Sequence, residues 1–222
     1  HYFRQNFSQV TNPPIDSLRE NKVMSLKTRF GNLGNILDFD NLTEENIYVL
    51  DSPILTNSQF KKFKKFFSKK TKVIDCTFDI SLSLKDRIEE IREEAETSVR
   101  EGSTCLILSD KNISNKKANI PSILTVGAVH SHLVKHGLRG YCSLNVECSD
   151  ALDTHSFAVL VGVGATTVNP YLAIDSIYQR FEKKLFGKSD FESCVVKFKK
   201  SIDAGLLKIM SKMGISVISS YR

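Results

Sequence analysis

Residues 84–109 read LKDRIEEIREEAETSVREGSTCLILS, and this stretch decides the fold class. Its first part repeats apolar residues every three or four positions, at Leu84, Ile88, Ile91, Ala95 and Val99, which predicts an amphipathic helix. Gly102 follows that helix. The apolar run 104–109 is too short for a helix and predicts a buried strand. With a strand predicted just before it, the stretch forms one β-α-β unit.

The same alternation of strand and helix patterns continues in both directions. Strands are predicted at 47–50, 73–77, 104–109, 141–147 and 215–218, and helices at 17–30, in the lysine-rich segment 60–72, and at 84–99, 121–135 and 193–213. Residues 156–163 fit a buried helix or a strand, and we favour the helix. The alternation predicts an α/β fold, mainly a parallel β-sheet flanked by helices, in a single domain covering residues 1–222.

Composition limits the class of protein. The chain is 41% hydrophobic and 25% charged, and no apolar run approaches the roughly 18 residues that span a bilayer. The five cysteines are widely spaced and form no CxxC pair, which indicates reduced thiols and a cytoplasmic location, or an organelle matrix in a eukaryote. The chain begins at His1 and not at a methionine, so we expect a segment of a longer polypeptide.

The net charge of +6 comes largely from one lysine-rich segment. Its seven lysines lie between positions 61 and 72, and Phe60, Phe63, Phe66 and Phe67 repeat at helical spacing among them. Such a basic amphipathic helix could meet a membrane surface or RNA. We favour the alternative that the phenylalanines pack against the sheet, and therefore expect neither a nucleic acid nor a membrane as partner.

Sequence patterns for catalysis are weak. Gly162-Val-Gly164 resembles half of a dinucleotide-binding turn, but the third glycine and the acidic residue are absent. His130 and His132 would point to different faces of a helix, which argues against joint metal ligation. His136 and His155 lie near Glu147, Asp150 and other charged residues, so an acid–base pair remains an open alternative. We expect no catalytic, cofactor-binding or metal-binding residue in this chain.

The order of several short stretches is more specific than any of these patterns. The chain resembles the central region of glutamate synthase large subunits in FSQVTNPPID (7–16), VMSL (23–26), DSPIL (51–55), LILSD (106–110), IPSIL (120–124), GAVHSHL (127–133), NPYLA (169–173) and GLLKIMSKMGIS (205–216). These stretches occur in the family's order over nearly the whole chain. It departs from the family pattern at Cys148, at His155-Ser156 and at Val163.

The resemblance implies a connecting role in a modular oxidoreductase. In that family an amidotransferase domain releases ammonia from glutamine, and an FMN domain uses it to convert 2-oxoglutarate to glutamate with electrons from an iron-sulfur cluster. The region matched here is a non-catalytic α/β domain between those two, and it helps to line the ammonia route. The resemblance thus implies no cofactor in this segment. It implies the amidotransferase and FMN domains of the same polypeptide as partners, with the small subunit of the parent enzyme as a further candidate.

A domain that holds two remote sites together needs interfaces, and two segments are candidates. They contain Gln9, Asn12, Asp16 and Arg19 in the first segment, and Lys208, Ser211, Lys212 and Met213 in the second. A folding role remains open for both, because prolines and caps explain the first and a helix end explains the second. A free-standing α/β module that binds a ligand or phosphate is the alternative function.

Overall fold

The structure is a computed structural model, and it describes residues 13–16, 18–30 and 47–221. The strands are β1 (Thr28–Phe30), β2 (Tyr48–Leu50), β3 (Thr71–Asp75), β4 (Thr77–Asp79), β5 (Cys105–Ser109), β6 (Lys117–Asn119), β7 (Ser143–Glu147) and β8 (Thr167–Asn169). The α-helices are α1 (Glu20–Val23), α2 (Asn57–Phe66), α3 (Leu84–Arg100), α4 (Ser122–Lys135), α5 (Thr154–Gly162), α6 (Tyr171–Glu182) and α7 (Phe191–Met213).

The main sheet has four parallel strands in the order β3-β5-β7-β8. Helices α3, α4 and α5 make the three crossovers, so each new strand is added beside the previous one. Parallel strands joined by a crossover almost always connect with right-handed geometry, so successive crossovers in one direction put their helices on one face. The prediction of an α/β fold with a mainly parallel sheet is confirmed.

One face of this sheet is aliphatic and holds the larger core. Leu106, Leu108, Leu144 and Val146 are buried there together with apolar side chains of α3, α4, α5 and α7. The predicted stripe on α3 is also confirmed, since Ile91, Ala95 and Val99 are buried and belong to this core. The regular alternation on each strand therefore directs one set of side chains to these helices.

The opposite face is covered by α2 and carries polar groups as well. Phe60, Phe63 and Phe67 pack with Cys105 and Ile107 of β5 in a second, smaller cluster. Because both faces are covered, every residue of β5, β7 and β8 is buried. Parallel sheets covered on both sides normally read as continuous apolar runs.

Polar residues on that second face bond to one another across the strands. The Asn145 side chain donates to the carbonyl oxygen of Leu106 at 3.1 Å, and the Thr167 hydroxyl donates to Asn145 Oδ1 at 2.7 Å. Asn145 and Thr167 have no exposed surface. Hydrogen bonding offsets the cost of burying these groups, and it is the reason that the strand pattern there is not purely apolar.

Two predicted elements are wrong and some are missing. Residues 17–30 do not continue as a helix, since only Glu20–Val23 is helical and Thr28–Phe30 pairs antiparallel with Tyr48–Leu50. Residues 215–218 form no strand, because a single bridge from Ser25 to Val217 leads directly into a 3-10 turn. The strand predicted at 73–77 is displaced, since β3 covers Thr71–Asp75 and Thr77 belongs to β4, which pairs antiparallel with β6. Strands β4, β6 and β8 and helix α6 were not predicted from the sequence.

The other predicted elements are confirmed, and most of their bounds differ by one to three residues. The exception is the lysine-rich helix, since α2 ends at Phe66 and a 3-10 turn and β3 occupy the rest of segment 60–72. Residues 156–163 are helical, as α5. The last helix, α7, begins after Asp190, whose carboxylate accepts from the Ser193 amide, and ends at Gly214, whose φ of 70° is the left-handed conformation of a helix stop. Helix α7 packs against α5 and α6, and this places its C-terminal end beside the first described segment of the chain.

Candidate functional site

The predicted interface residues fall in two segments that the structure brings together. Gln9 and Asn12 lie outside the described residues. Ile15, next to Asp16, makes two hydrogen bonds with Ser211 of α7: its amide donates to the Ser211 carbonyl oxygen at 2.9 Å, and the Ser211 hydroxyl donates to the Ile15 carbonyl oxygen at 2.8 Å. Nothing in the sequence pairs residues so far apart in the chain.

Further contacts continue this junction toward the core. Lys208 Nζ lies 3.4 Å from Glu20 Oε1. The Ser25 amide donates to the carbonyl oxygen of Ser216 at 2.8 Å, and the Ile218 amide donates to the Ser25 carbonyl oxygen at 3.0 Å. The segment before β1 therefore follows the end of α7 and the residues after it.

Not all of the predicted residues face outward. Ser211 is only 3% exposed, so its hydroxyl serves the internal junction. Asp16 and Arg19 are exposed and pair with each other at 3.3 Å. Lys208, Lys212 and Met213 are exposed along the last turns of α7. The structure thus supplies an internal role for Ser211 and leaves the other five on the surface.

Large apolar side chains are exposed beside the same junction. Leu18 is 88% exposed, Val23 and Met213 are each 49% exposed, and Val217 is 40% exposed. All four lie within three residues of a hydrogen bond that joins the two segments. We name the exposed residues of this region the junction surface: Asp16, Leu18, Arg19, Val23, Lys208, Lys212, Met213 and Val217. Clustered exposed apolar side chains rimmed by charges are typical of a protein interface.

The Gly162-Val-Gly164 turn does not form a phosphate site. It follows the C-terminal end of α5, whereas dinucleotide phosphates meet the N-terminal end of a helix. Arg139 fills the surroundings: its guanidinium donates to the Gly164 carbonyl oxygen at 2.9 Å and to His130 Nδ1 at 3.1 Å. This turn is a packed internal contact.

The possible acid–base pair is not assembled. Within the described part of the chain, no hydrogen bond or ion pair joins His136 to His155, and His136 instead lies 3.7 Å from Glu96 on α3. Asp150, the carboxylate that the sequence placed near this pair, accepts from the Ser122 amide at 2.9 Å. It thereby caps α4, whose N-cap residue is a proline without a capping side chain.

Buried polar groups collect where the parallel strands end. Glu147 is 5% exposed, and its two oxygens meet Lys111 Nζ at 2.8 Å and the Ser109 hydroxyl at 2.7 Å. Next to it, Asp110 accepts from the amide and hydroxyl of Ser149 at 2.8 and 2.6 Å. This cluster was not predicted, because only the strand register places Ser109 opposite Glu147. The cluster fixes the loops at the edge of the sheet where α/β enzymes hold their ligands.

The five cysteines are free thiols, and all except Cys194 are buried. Burial raises the pKa of the Cys76 thiol to about 12 and that of Cys105 to about 11. Burial also raises the pKa of Cys142 and Cys148. A thiol is reactive as the thiolate, so these four stay inert near neutral pH.

Potential metal donors come together at one place in the described residues. Glu96 of α3 meets His132 and His136 of α4, with donor atoms within 4.8 Å of one another. This group contains no cysteine, so it does not suit an iron-sulfur cluster. Joint ligation was considered for His130 and His132 from the sequence, whereas the structure brings together His132 and His136, whose spacing of four residues was the available signal. Within the described residues, no helix combines the length and the apolar character needed to cross a bilayer.

Comparison with solved structures gives only distant likeness. A mandelate oxidase mutant with an FMN adduct matches 59% of this chain and 37% of its own, at 13% identity and a TM-score of 0.46. A flavocytochrome b2 mutant with benzoylformate matches 74% of this chain and 36% of its own, at 13% identity and a TM-score of 0.48. Scores of this size carry no argument about the chain's function.

Comparison of sequences gives a far stronger match. The large chain of an NADPH glutamate synthase from Azospirillum brasilense is 55% identical over 100% of this chain and 15% of its own length. The ferredoxin-dependent glutamate synthase of Pyropia yezoensis is 40% identical over 99% of the chain, and the NADPH enzyme's large chain from Bacillus subtilis is 41% identical over 100%. The chain spans about 15% of the length of these curated relatives. The model of the glutamate synthase central domain matches residues 1–222, and the chain belongs to that family.

Proposed function

We propose that this chain is the connecting domain of a glutamate synthase and catalyses no reaction by itself. The whole enzyme would make glutamate from glutamine and 2-oxoglutarate, with an amidotransferase domain, an FMN domain and an iron-sulfur cluster outside this chain. The chain would hold the two reaction sites in fixed relation and help to line the route of ammonia between them. It would work in the cytoplasm, or in an organelle matrix in a eukaryote.

The observation that carries this proposal is the match of the whole chain to the central-domain family, together with relatives of whose length it spans about 15%. The chemistry of the described residues supports it. The cysteines outside Cys194 are buried with raised pKa values, and the polar groups at the sheet edge bond to one another. A rigid core of this kind suits a domain whose task is to position its neighbours.

We further propose that the junction surface contacts a neighbouring domain. Leu18 and Met213 expose apolar side chains beside the charged Arg19 and Lys212. An apolar centre with a charged rim is the usual anatomy of an interface, and the hydrogen bonds of Ile15 with Ser211 hold the two halves of the surface in register.

The test is to introduce Met213→Glu in the whole enzyme and to measure glutamate formation with glutamine and, separately, with saturating ammonia. Burying a charge in an apolar contact costs at least as much as losing a hot-spot side chain. We expect glutamine-dependent formation to fall about tenfold and ammonia-dependent formation to change less, because free ammonia does not need the connection.

The matched control is Val134→Glu, an exposed apolar residue on α4 outside the junction surface. The 222-residue chain alone should form no glutamate, and it should restore glutamine-dependent activity when the complementary domains are added. Glutamate formation by the chain alone would contradict the proposed connecting role. An equal loss of activity in Met213→Glu and Val134→Glu, or unchanged activity in Met213→Glu, would contradict the assignment of the junction surface.

A further inference from the structure

Glu96, His132 and His136 form a cluster of donors between two helices, and the proposed connecting role makes no use of it. His132 and His136 are one helical turn apart on α4 and therefore lie on the same face. Their imidazole rings lie 4.3 Å apart between centroids. Glu96 reaches them from the neighbouring α3, with Oε2 at 2.6 Å from His132 Nε2 and 3.7 Å from His136 Nδ1.

The cluster is partly buried and open on one side. The side chains of His132 and Glu96 are 13% and 21% exposed, and that of His136 is 35% exposed. Helices α3 and α4 pack closely along their length, so the backbone positions of the three donors are fixed by the core. A water molecule has access to the fourth position of a tetrahedral ion at such an open site.

Neighbouring groups already orient the carboxylate. Arg100 Nη2 lies 2.7 Å from Glu96 Oε1, which leaves Oε2 toward the histidines. Hydrogen bonds that hold metal ligands in place, such as this one to Glu96, are a regular part of metal sites. His136 Nδ1 lies 2.9 Å from the His132 carbonyl oxygen, a contact that binding of an ion through this nitrogen would replace.

We propose that Glu96, His132 and His136 bind a divalent cation of the zinc class and thereby tie α3 to α4. Two imidazoles with one carboxylate suit zinc, nickel or copper, whereas magnesium and calcium prefer oxygen ligands throughout. Donors on a tetrahedral zinc lie about 3.4 Å apart, given bonds of about 2.1 Å. The donor atoms here lie within 4.8 Å, so side-chain rotation alone can close the site, once His136 gives up its bond to the His132 carbonyl.

The test is a zinc titration of the 222-residue chain without a histidine tag, by calorimetry with zinc chloride. We expect one equivalent to bind with a Kd of the order of 1 µM, typical in size for a partly open three-ligand site. His136→Ala and His132→Ala should each weaken binding at least tenfold. The matched controls are His155→Ala, an exposed histidine on α5, and Cys194→Ser, the cysteine with exposed surface.

A second readout separates loss of binding from loss of folding. Zinc should raise the Tm of the wild-type chain, because a ligand that binds only the folded state stabilises it, and EDTA should reverse the shift. His136→Ala should melt like the wild-type chain in EDTA and show no zinc shift. Zinc binding weaker than about 1 mM would overturn the site. Loss of binding in His155→Ala or Cys194→Ser, with binding retained in His136→Ala, would place the ion elsewhere and overturn it equally.

Discussion

Gly164 shows how one residue is fixed by its surroundings. Its φ of 119° is a conformation that side-chain-bearing residues rarely adopt. A Cβ built on it would lie 2.4 Å from His130 Nδ1, and His130 is itself held by Arg139. The glycine is therefore required by the packing of α4 against the turn that follows α5.

Gly164→Ala should destabilise the chain, because it combines backbone strain with overpacking. We expect the free energy of unfolding to fall by at least about 2 kcal/mol. Gly127→Ala is the control, since Gly127 lies inside α4 with no atom within 4 Å of the new Cβ, and alanine there should stabilise by about 0.5–1 kcal/mol. Urea denaturation of the two variants measures both effects. Similar stabilities would show that His130 moves aside without cost.

Asp75, at the end of β3, gives a prediction for pH. Burial raises the pKa of its carboxyl, but hydrogen bonds from Asn112 and Thr77 outweigh this and hold the pKa below its ordinary value of 3.8. Lys117 Nζ at 3.7 Å acts in the same direction. A carboxyl whose pKa is depressed by folding stabilises the folded state when it is ionised.

The contribution of Asp75 is thus fully present above pH 3.8 and is lost as the pH falls through its folded-state pKa. Asp75→Asn removes it, so we expect the stability difference between wild type and variant to shrink as the pH falls below that value. Urea unfolding at a series of pH values is the measurement. Parallel stability curves for the two chains would show that the ionised carboxylate contributes nothing.

At the scale of elements, the basic segment resolves into a helix that packs by its phenylalanines. Phe60 and Phe63 of α2 are 3% and 0% exposed in the smaller core cluster, while Phe66 is 48% exposed. Thr56 caps the helix with Gln59 in a reciprocal pair of hydrogen bonds. The packing of the described residues thus supports the interpretation that the phenylalanine side of this helix packs against the sheet.

Phe63→Ala should cost about 3–5 kcal/mol, because it removes a fully buried aromatic side chain and leaves a cavity. Phe66→Ala, in the same helix, is the control. It should cost much less, because the Phe66 side chain is half exposed. Thermal or urea unfolding of both variants compares the two positions. If Phe66→Ala proved the more damaging, the orientation of α2 on the sheet would be wrong.

In the whole molecule, the junction joins the first described segment to α7. The Ser211 hydroxyl bonds to Ile15, which is 196 residues earlier in the chain. These distant segments meet because α7 packs beside α5 and α6 in the folded chain. The junction surface exists only in the folded chain for the same reason.

Ser211→Ala should lower the free energy of unfolding by about 1 kcal/mol, the usual net value of one hydrogen bond. We also expect faster amide exchange in residues 15–16 and 18–30, because the remaining contact to α7 is weaker. Ser201→Ala, at an exposed position on the same helix, is the control. Unchanged exchange in Ser211→Ala would show that the segment is held by other contacts.

Much of the fold follows from local patterns that tertiary packing did not change. The stripe at Ile91, Ala95 and Val99, and the apolar run that becomes β5, each fit only one element, so their bounds are right to within one residue. The family was also evident from the sequence, because many short stretches kept their order along the chain. Strand β8 was missed, since its three residues are too few to show a period.

The α/β class, the parallel sheet with its crossover helices and the family could be predicted from the sequence, because they show as patterns among residues close together in the chain. The remaining features follow from tertiary contacts alone. Thr28–Phe30 is a strand since Tyr48–Leu50 pairs with it, and Glu96 meets His132 since α3 packs on α4. Both depend on contacts between residues 18 or more positions apart, and spacing along a single chain does not encode which distant residues will touch.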